Sequence, residues 1–367
     1  MRRIAEECVN CGICVRECVF LQEYGSPGVL AETWQDGEVR SNGLYPFECS
    51  LCGLCHGVCP KKLDPSAMFL SMRRELVNEG RGELKEHKII RNYERRGSSA
   101  LFSFYHFPVG CRTVLFPGCA FPGTRPQTLL RLYEHLRKSI PTLGIVMDCC
   151  TKPSHDLGAA AHFTEMFSQL RRILVSSSVT RVLVTCPNCH RIFREYGEGL
   201  EVESVYERML TSPVDVVIPA EVTVHDPCGV RFSEPVQQGA RKLLRQHGVQ
   251  IREMKHNREK TICCGEGGAA GFVRPDFAKS WTAKRVEEAG SEPIISYCAG
   301  CTEFLHGAAE CHHLLDLLFF PQQVMAGTQK VSSSPFTYWN RFRLKHKLQK
   351  ICGPGVCGTR SRLSDQS

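Results

Sequence analysis

In RVLVTCPNC, Arg181 to Cys189, a short β-branched apolar run stops at a C-x2-C pair. PIISYCAGC, Pro293 to Cys301, repeats the arrangement 112 residues later. Each run is short and rich in residues that suit a buried strand, so a strand is expected to end just before each cysteine pair. Outward from these, TVLFPGC (Thr113 to Cys119) answers VTVHDPC (Val222 to Cys228). The vicinal pair Cys149-Cys150 in VMDCCTKP answers Cys263-Cys264 in TICCGEGG. The five equivalent cysteines are offset by 109, 114, 114, 112 and 112 residues, so the chain carries an internal repeat.

Helical periodicity fills the gaps. QTLLRLYEHLRKSI and HFTEMFSQLRRILV in the first repeat are matched by PVQQGARKLLRQHG and DFAKSWTAKRVEEAG in the second. Strands alternating with helices predict an α/β fold with parallel sheets. Such sheets place ligands beyond the carboxyl ends of their strands, which is where the cysteines fall. Neighbouring Cα atoms lie about 3.8 Å apart, short of the roughly 4.4–6.8 Å a relaxed disulfide needs. The vicinal thiols are therefore expected to face a shared metal cluster, with the glycines of CCGEGG letting the backbone come close.

The chain has 367 residues, 42% hydrophobic and 23% charged, enough for two to three domains. Its 22 cysteines need either disulfides in an oxidising compartment or metal thiolates in a reducing one. MRRIAEECVNCGIC has no apolar signal-peptide core, and the apolar run HHLLDLLFFPQ is far short of a membrane span. A soluble, cytoplasmic protein with metal thiolates is the expectation. The formal net charge of +8 favours encounter with acidic electron carriers. Aromatics are interleaved with basic residues only near the C-terminus, which argues against nucleic acid.

Two combs of the form C-x2-C-x2-C-x3-C occupy the first eighty residues: Cys8, Cys11, Cys14, Cys18 and Cys49, Cys52, Cys55, Cys59. In two-cluster ferredoxins the fourth cysteine of such a run ligates the other cluster. Cluster one is thus assigned to Cys8, Cys11, Cys14 and Cys59, and cluster two to Cys49, Cys52, Cys55 and Cys18. Pro60 follows the second comb as expected, whereas Val19 follows the first, a change of turn preference and not of ligand. Paired C-x2-C knuckles for zinc fit a doubled triple comb poorly. The insert 19–48 holds the turn-rich YGSPG and DGEVRSNG. Beyond the combs, LDPSAMFLSMRRELVNEG predicts a helix capped by Asp64, begun at Pro65 and ended before Gly80.

The repeat motif, a cysteine, a vicinal pair and a C-x2-C, resembles the CCG or cysteine-rich domain family. Its tandem copy resembles the catalytic subunit of heterodisulfide reductase. With the two-cluster head, the chain also resembles iron–sulfur subunits of glycolate oxidase, lactate-utilisation and anaerobic glycerol-3-phosphate dehydrogenase systems. The resemblance spans about residues 5–320. It implies a noncubane [4Fe–4S] cluster on Cys119, Cys149, Cys150, Cys186 and Cys189, and another on Cys228, Cys263, Cys264, Cys298 and Cys301. Thr151 stands where a glycine often follows the doublet, so zinc in the first site stays open.

The resemblance implies an oxidoreductase or its electron-transfer subunit. In one form, single electrons pass through the two cubanes to the repeat clusters, where a disulfide is reduced. In the other, the chain relays electrons from a flavin-dependent 2-hydroxy-acid or glycerol-3-phosphate dehydrogenase. GEGGAAG is not a dinucleotide fingerprint, because it follows a cysteine doublet. A redox partner, flavoprotein or ferredoxin, is expected either way. His225, Asp226 and Glu266 are expected either to support the second cluster by hydrogen bonding, the favoured reading, or to donate or accept a proton there. Cys111, Cys311, Cys352 and Cys357 fall outside every motif, and His312 and His313 have no second ligand pair nearby.

The expected organisation is a dicluster domain (1–80), a connecting arm (81–110), two cysteine-rich domains (111–213 and 214–325) and a basic tail (326–367). The tail's PFTYWNRFRLKHKLQK has a broken apolar stripe, suited to docking a partner or lying peripherally on an anionic membrane. GTRSRLSDQS is expected to be disordered.

Overall fold

The apolar runs that end at cysteines do form strands. The computed structural model describes residues 1–35 and 43–364; most of DGEVRSNG, and the last three residues, lie outside the described residues. Its strands are β1 (Phe104–Pro108), β2 (Thr113–Phe116), β3 (Gly144–Met147), β4 (Arg181–Val184), β5 (Glu201–Ser204), β6 (Glu221–His225), β7 (Gln250–Arg252), β8 (Ile294–Ser296), β9 (Cys311–His313) and β10 (Gly355–Gly358). One sheet has the order β10-β1-β3-β2-β4-β5 and the other β7-β6-β8-β9.

Within each repeat the pairing is parallel, with the first strand between the second and third: β3-β2-β4-β5 and β7-β6-β8-β9. The four predicted crossover helices appear as Pro126–Ser139, Ala160–Ser176, Glu234–Gln246 and Pro275–Ala289. β2, β3 and β4 are buried almost throughout, as strands covered on both faces must be.

The repeats share one core, in which Leu115 and Leu183 of the first join Val224, Leu243 and Ile295 of the second. Arg125 Nε donates to Asp316 at 2.7 Å across this boundary, and Thr128 Oγ1 donates to the other carboxylate oxygen at 2.6 Å. The Tyr206 hydroxyl lies 3.0 Å from the carbonyls of both Thr185 and Tyr297, the residues preceding Cys186 and Cys298. One buried phenol thereby sets the two C-x2-C pairs against each other.

The dicluster region packs around a separate core of Phe20, Trp34, Phe47, Phe69 and Met72. The predicted helix runs Pro65–Asn78, and the Asp64 carboxylate accepts from the Ala67 amide at 3.1 Å. Arg73 on this helix is fully buried and donates to the carbonyls of Pro46, Cys49, Asp156 and Gly268. These acceptors belong to the second comb, the first repeat and the second repeat.

Two expectations are corrected. The arm is not merely connecting, because β1 pairs antiparallel with β3 and adds a strand to the first repeat's sheet. GTRSRLSDQS is not disordered over its described part. Gly358 closes β10, which pairs antiparallel with β1, and Arg360–Ser364 is a helix whose Arg360 is only 3% exposed. The helix Phe336–Ile351 likewise faces inward, burying Arg341, Leu344 and Leu348, while Phe336 and Trp339 remain exposed.

Candidate metal centres

Each comb turns through left-handed backbone at matching places. Asn10 and Gly12 in the first have φ 49° and 74°, and Leu51 and Gly53 in the second have φ 48° and 71°. A leucine in that region is strained, which marks a loop held by what it surrounds. Each glycine starts a short helix, Ile13–Glu17 or Leu54–Gly57, that brings the third cysteine back towards the first two.

The structure groups the comb thiols crosswise. Cys14 sits with Cys8, Cys11 and Cys59. Cys55 sits with Cys49, Cys52 and Cys18. Burial pushes the Cys14 thiol up to about 11, and its three neighbours add to the rise. Burial likewise pushes Cys49 up to about 12. Four crowded thiols, some of them buried, ionise together only with a cation among them, which is the condition a metal cluster satisfies.

In the first repeat the thiols fall into two groups joined at the vicinal pair. Cys149 neighbours Cys119, the Cys150 and Cys189 sulfurs lie 3.4 Å apart, and Cys189 neighbours Cys186. The second repeat is built alike: Cys263 neighbours Cys228 and Cys264, Cys264 and Cys301 lie 3.2 Å apart, and Cys301 neighbours Cys298. Gly118, at φ +75°, could not carry a side chain, since a Cβ would stand 3.1 Å from the Cys189 sulfur. Thr151 occupies left-handed backbone (φ 59°) where Gly265 has φ 110° in the other repeat. The threonine is accommodated at some strain and does not displace the doublet. The second doublet does not follow its strand directly, because residues 253–262 intervene after β7.

Contacts that local sequence did not announce join these centres. The Cys52 thiol of the second comb is an electrostatic neighbour of Cys263 in the second repeat. Gly268 permits the approach, since a Cβ there would meet the Cys49 carbonyl at 2.8 Å. The glycines of GEGGAAG thus serve the joint with the comb as well as the cluster loop. Arg231 lies at the same junction, 2% exposed, with Nε donating to the Cys52 carbonyl at 2.8 Å. Its Nη2 is buried without a partner, an orphaned donor suited to an anionic group between the thiols.

Across the inter-repeat boundary the Cys186 and Cys298 thiols are electrostatic neighbours. They face a cavity of about 290 Å³ lined by thiols of both repeats together with Tyr93, Lys152, Asn188, Arg191, Glu266 and Phe304. A Glu266 carboxylate oxygen and the Cys298 and Cys301 sulfurs lie within 4.8 Å of one another. Burial, then the Cys264 and Cys186 thiols, hold Glu266 well above the usual carboxylate range. Lys152 is paired with Asp156 on the cavity wall.

A His225 ring nitrogen and the Cys264 and Cys301 sulfurs lie within 4.8 Å of one another, and the Nδ1 of His225 is buried without a partner. Asp226 turns away from the thiols: it takes 2.7 and 2.8 Å bonds from Arg241 and one from the Tyr297 hydroxyl, bracing the loop. Cys111 is buried in the apolar cluster that includes Cys150 and Cys189, and Cys311 in the one that includes Cys264, Cys298 and Cys301. His313 caps Leu314–Phe319 and His312 pairs with Glu310, so neither approaches a thiol group. Cys352 and Cys357 are free, the latter exposed on β10. Arg341 and Arg360, both from the C-terminal segment, reach the carbonyls of Cys119 and Cys149, each at 3.1 Å. No periodicity or motif pointed to them.

Residues 7–64 match the family described as a 4Fe-4S dicluster domain, and residues 222–306 match the cysteine-rich domain. The chain is 25% identical to a subunit of the CoM/CoB fumarate reductase of Methanothermobacter marburgensis, over 84% of this chain and 69% of the relative. It is 24% identical to a subunit of the dihydromethanophenazine:CoB–CoM heterodisulfide reductase of Methanosarcina acetivorans, over 81% and 87%. It is also 24% identical to the EtfAB:quinone oxidoreductase of Syntrophomonas wolfei, over 63% and 37%. The dicluster and cysteine-rich matches identify an iron–sulfur protein of the electron-transfer type. Among the described residues no helix is long and apolar enough to cross a membrane.

Proposed function

We propose that this chain, two cysteine-rich repeats behind a 4Fe–4S dicluster module, takes single electrons from a partner and delivers them to an inter-repeat centre that reduces a disulfide. The observation that carries this is the meeting of Cys186 and Cys298 at one cavity, with the second comb touching the same repeat through Cys52 and Cys263. The combs would hold two cubane clusters with the ligand sets assigned above. The ten repeat cysteines would hold two noncubane [4Fe–4S] clusters. Five linked thiols in the first repeat exceed the four ligands of a structural zinc, which favours iron there too. When bound, these groups supply one-electron transfer and iron positions at which sulfur can be reduced.

The chain's own residues do the rest. Cys11 is exposed and Val9 beside it is 59% exposed, so a flavoprotein or ferredoxin would dock at the first comb. The second comb would then pass charge to the second repeat. A disulfide takes two electrons and two protons to give two thiols. Glu266 can hold a proton at its carboxyl oxygen beside Cys298. Lys152 and Arg191 line the cavity as ion pairs with Asp156 and Glu195 and offer hydrogen-bond donors to a polar substrate. The protein would work in the reducing cytoplasm, where thiolate sites persist.

A relay role remains the second reading, favoured by the match to the Syntrophomonas protein. Anaerobically prepared protein, reduced chemically and mixed with small polar disulfides, tests the choice. Cleavage of about one disulfide per two electrons without a partner supports the proposal. Inertness until a flavoprotein and its substrate are added would replace it with the relay.

A further inference from the structure

The first repeat's centre is completed from the far end of the chain. Arg341, on the helix Phe336–Ile351, is 3% exposed. Its Nη1 donates to the Cys119 carbonyl at 3.1 Å, and its Nη2 to the carbonyls of Gly97 and Phe102 at 3.0 and 3.4 Å. Its Nε is buried with no partner, and none of its acceptors is a carboxylate. A guanidinium buried away from water is costly unless an anion lies close. The groups at hand are Cys119 and Cys149: a Cβ on Gly97 would stand 3.3 Å from Arg341 Nη1 and 3.8 Å from the Cβ of each cysteine. Gly97 is thus the gap through which cation and thiols meet.

Arg360 closes the other side. β10 pairs with β1, which places the next turn of chain over the doublet. From there Arg360 Nε donates to Asp148 at 2.9 Å, Nη1 to the Met166 carbonyl at 2.8 Å and Nη2 to the Cys149 carbonyl at 3.1 Å. The other Asp148 oxygen accepts from the Cys149 amide at 2.6 Å, so the doublet's backbone is held from both ends. The second repeat is served by Arg231, three residues after Cys228, and by Arg73 of the dicluster helix, which donates to the Gly268 carbonyl.

We infer that the segment Phe336–Ser364 is part of the first repeat's centre, with Arg341 as its buried counter-charge and Arg360 as the positioning residue of its cysteine doublet. This rests on the proposal that the first repeat holds an iron–sulfur group. A fixed cation beside such a group favours its more reduced form and raises its reduction potential.

The test uses full-length, anaerobically prepared Arg341→Gln and Arg341→Lys, with EPR-monitored redox titration and iron counts. The first repeat's signal is defined as the one lost in Cys119→Ser. Arg341→Gln should lower the potential of that signal, or lose that site's iron, and leave the other signals unmoved; Arg341→Lys should recover most of the shift. An unchanged potential and iron count in Arg341→Gln would overturn the inference. Hydrogen exchange of residues 336–364 provides a second measure that needs no arginine variant. Deprotection of that segment in Cys119→Ser supports the inference, and unaltered protection sinks it. If Cys119→Ser removes neither iron nor signal, the first repeat holds no cluster and the underlying proposal has failed.

Discussion

Cys186 and Cys298 lie close enough for each thiol to shift the other's ionisation, although 112 residues separate them. Each is the first cysteine of its repeat's C-x2-C pair, and each would serve a different centre. Centres joined by touching ligands should not behave independently. Cys298→Ser is expected to change the EPR line shape or relaxation of the first repeat's signal as well as its own. Cys228→Ser, at the opposite end of the second thiol set, should leave the first repeat's signal unmoved.

The contact between Cys52 and Cys263 makes a prediction about rate. If electrons enter the repeats there, Arg231→Gln should slow reduction of the second repeat by at least about tenfold, or ~1.4 kcal/mol in barrier. Its loss removes the bond to the Cys52 carbonyl that holds the two loops together. Rapid-freeze EPR after mixing with a chemical reductant would follow it, with reduction of the first comb's cluster as the internal control.

Gly300 and Glu266 cannot both have side chains in their present positions. A Cβ on Gly300 would stand 2.0 Å from a Glu266 carboxylate oxygen. Gly300→Ala should therefore push Glu266 aside at a cost of about 1–3 kcal/mol. Glu266→Ala in the same chain should recover most of that loss. Chemical unfolding of the single and double variants gives the coupling directly.

The Asp226–Arg241 pair is completely buried, while Glu253, which shares the same arginine, is 27% exposed. Asp226→Asn is expected to destabilise the second repeat by about 1–3 kcal/mol, because it weakens two buried charge-assisted bonds while Glu253 still balances the Arg241 charge. Glu253→Gln should cost no more than about 1 kcal/mol. Urea midpoints under anoxia distinguish the two.

His87 is 1% exposed against Phe47, and neither ring nitrogen has a partner. Burial, followed by the Arg73 charge, lowers it from 6.5 to about 4. The unfolded chain takes up a proton below 6.5 while the folded chain does not, so stability should fall as pH drops from 6.5 towards 4. His87→Phe should flatten that part of the pH–stability curve, measured by urea unfolding at a series of pH values.

The combs and repeats were legible because their signals are local. Spacing within eleven residues sets each comb, and short apolar runs ending at cysteines set the parallel strands. The same locality explains what stayed hidden. The helix 336–351 buries the charged heads of Arg341 and Lys345 against backbone carbonyls, so its inward face reads as polar. β10, GVCG, has two glycines and little intrinsic strand preference; only pairing with β1 makes it a strand. The meeting of Cys186 with Cys298, and of Cys52 with Cys263, depends on how whole units dock, which no spacing encodes.

Arg73 has one more consequence. Its single guanidinium ties carbonyls at Pro46 and Cys49 to others at Asp156 and Gly268. A head secured in this way cannot swing out to fetch charge and return, as a tethered shuttle would. Hopping inside the chain should then be indifferent to solvent viscosity, and any viscosity dependence of turnover would belong to the arrival and departure of the donor.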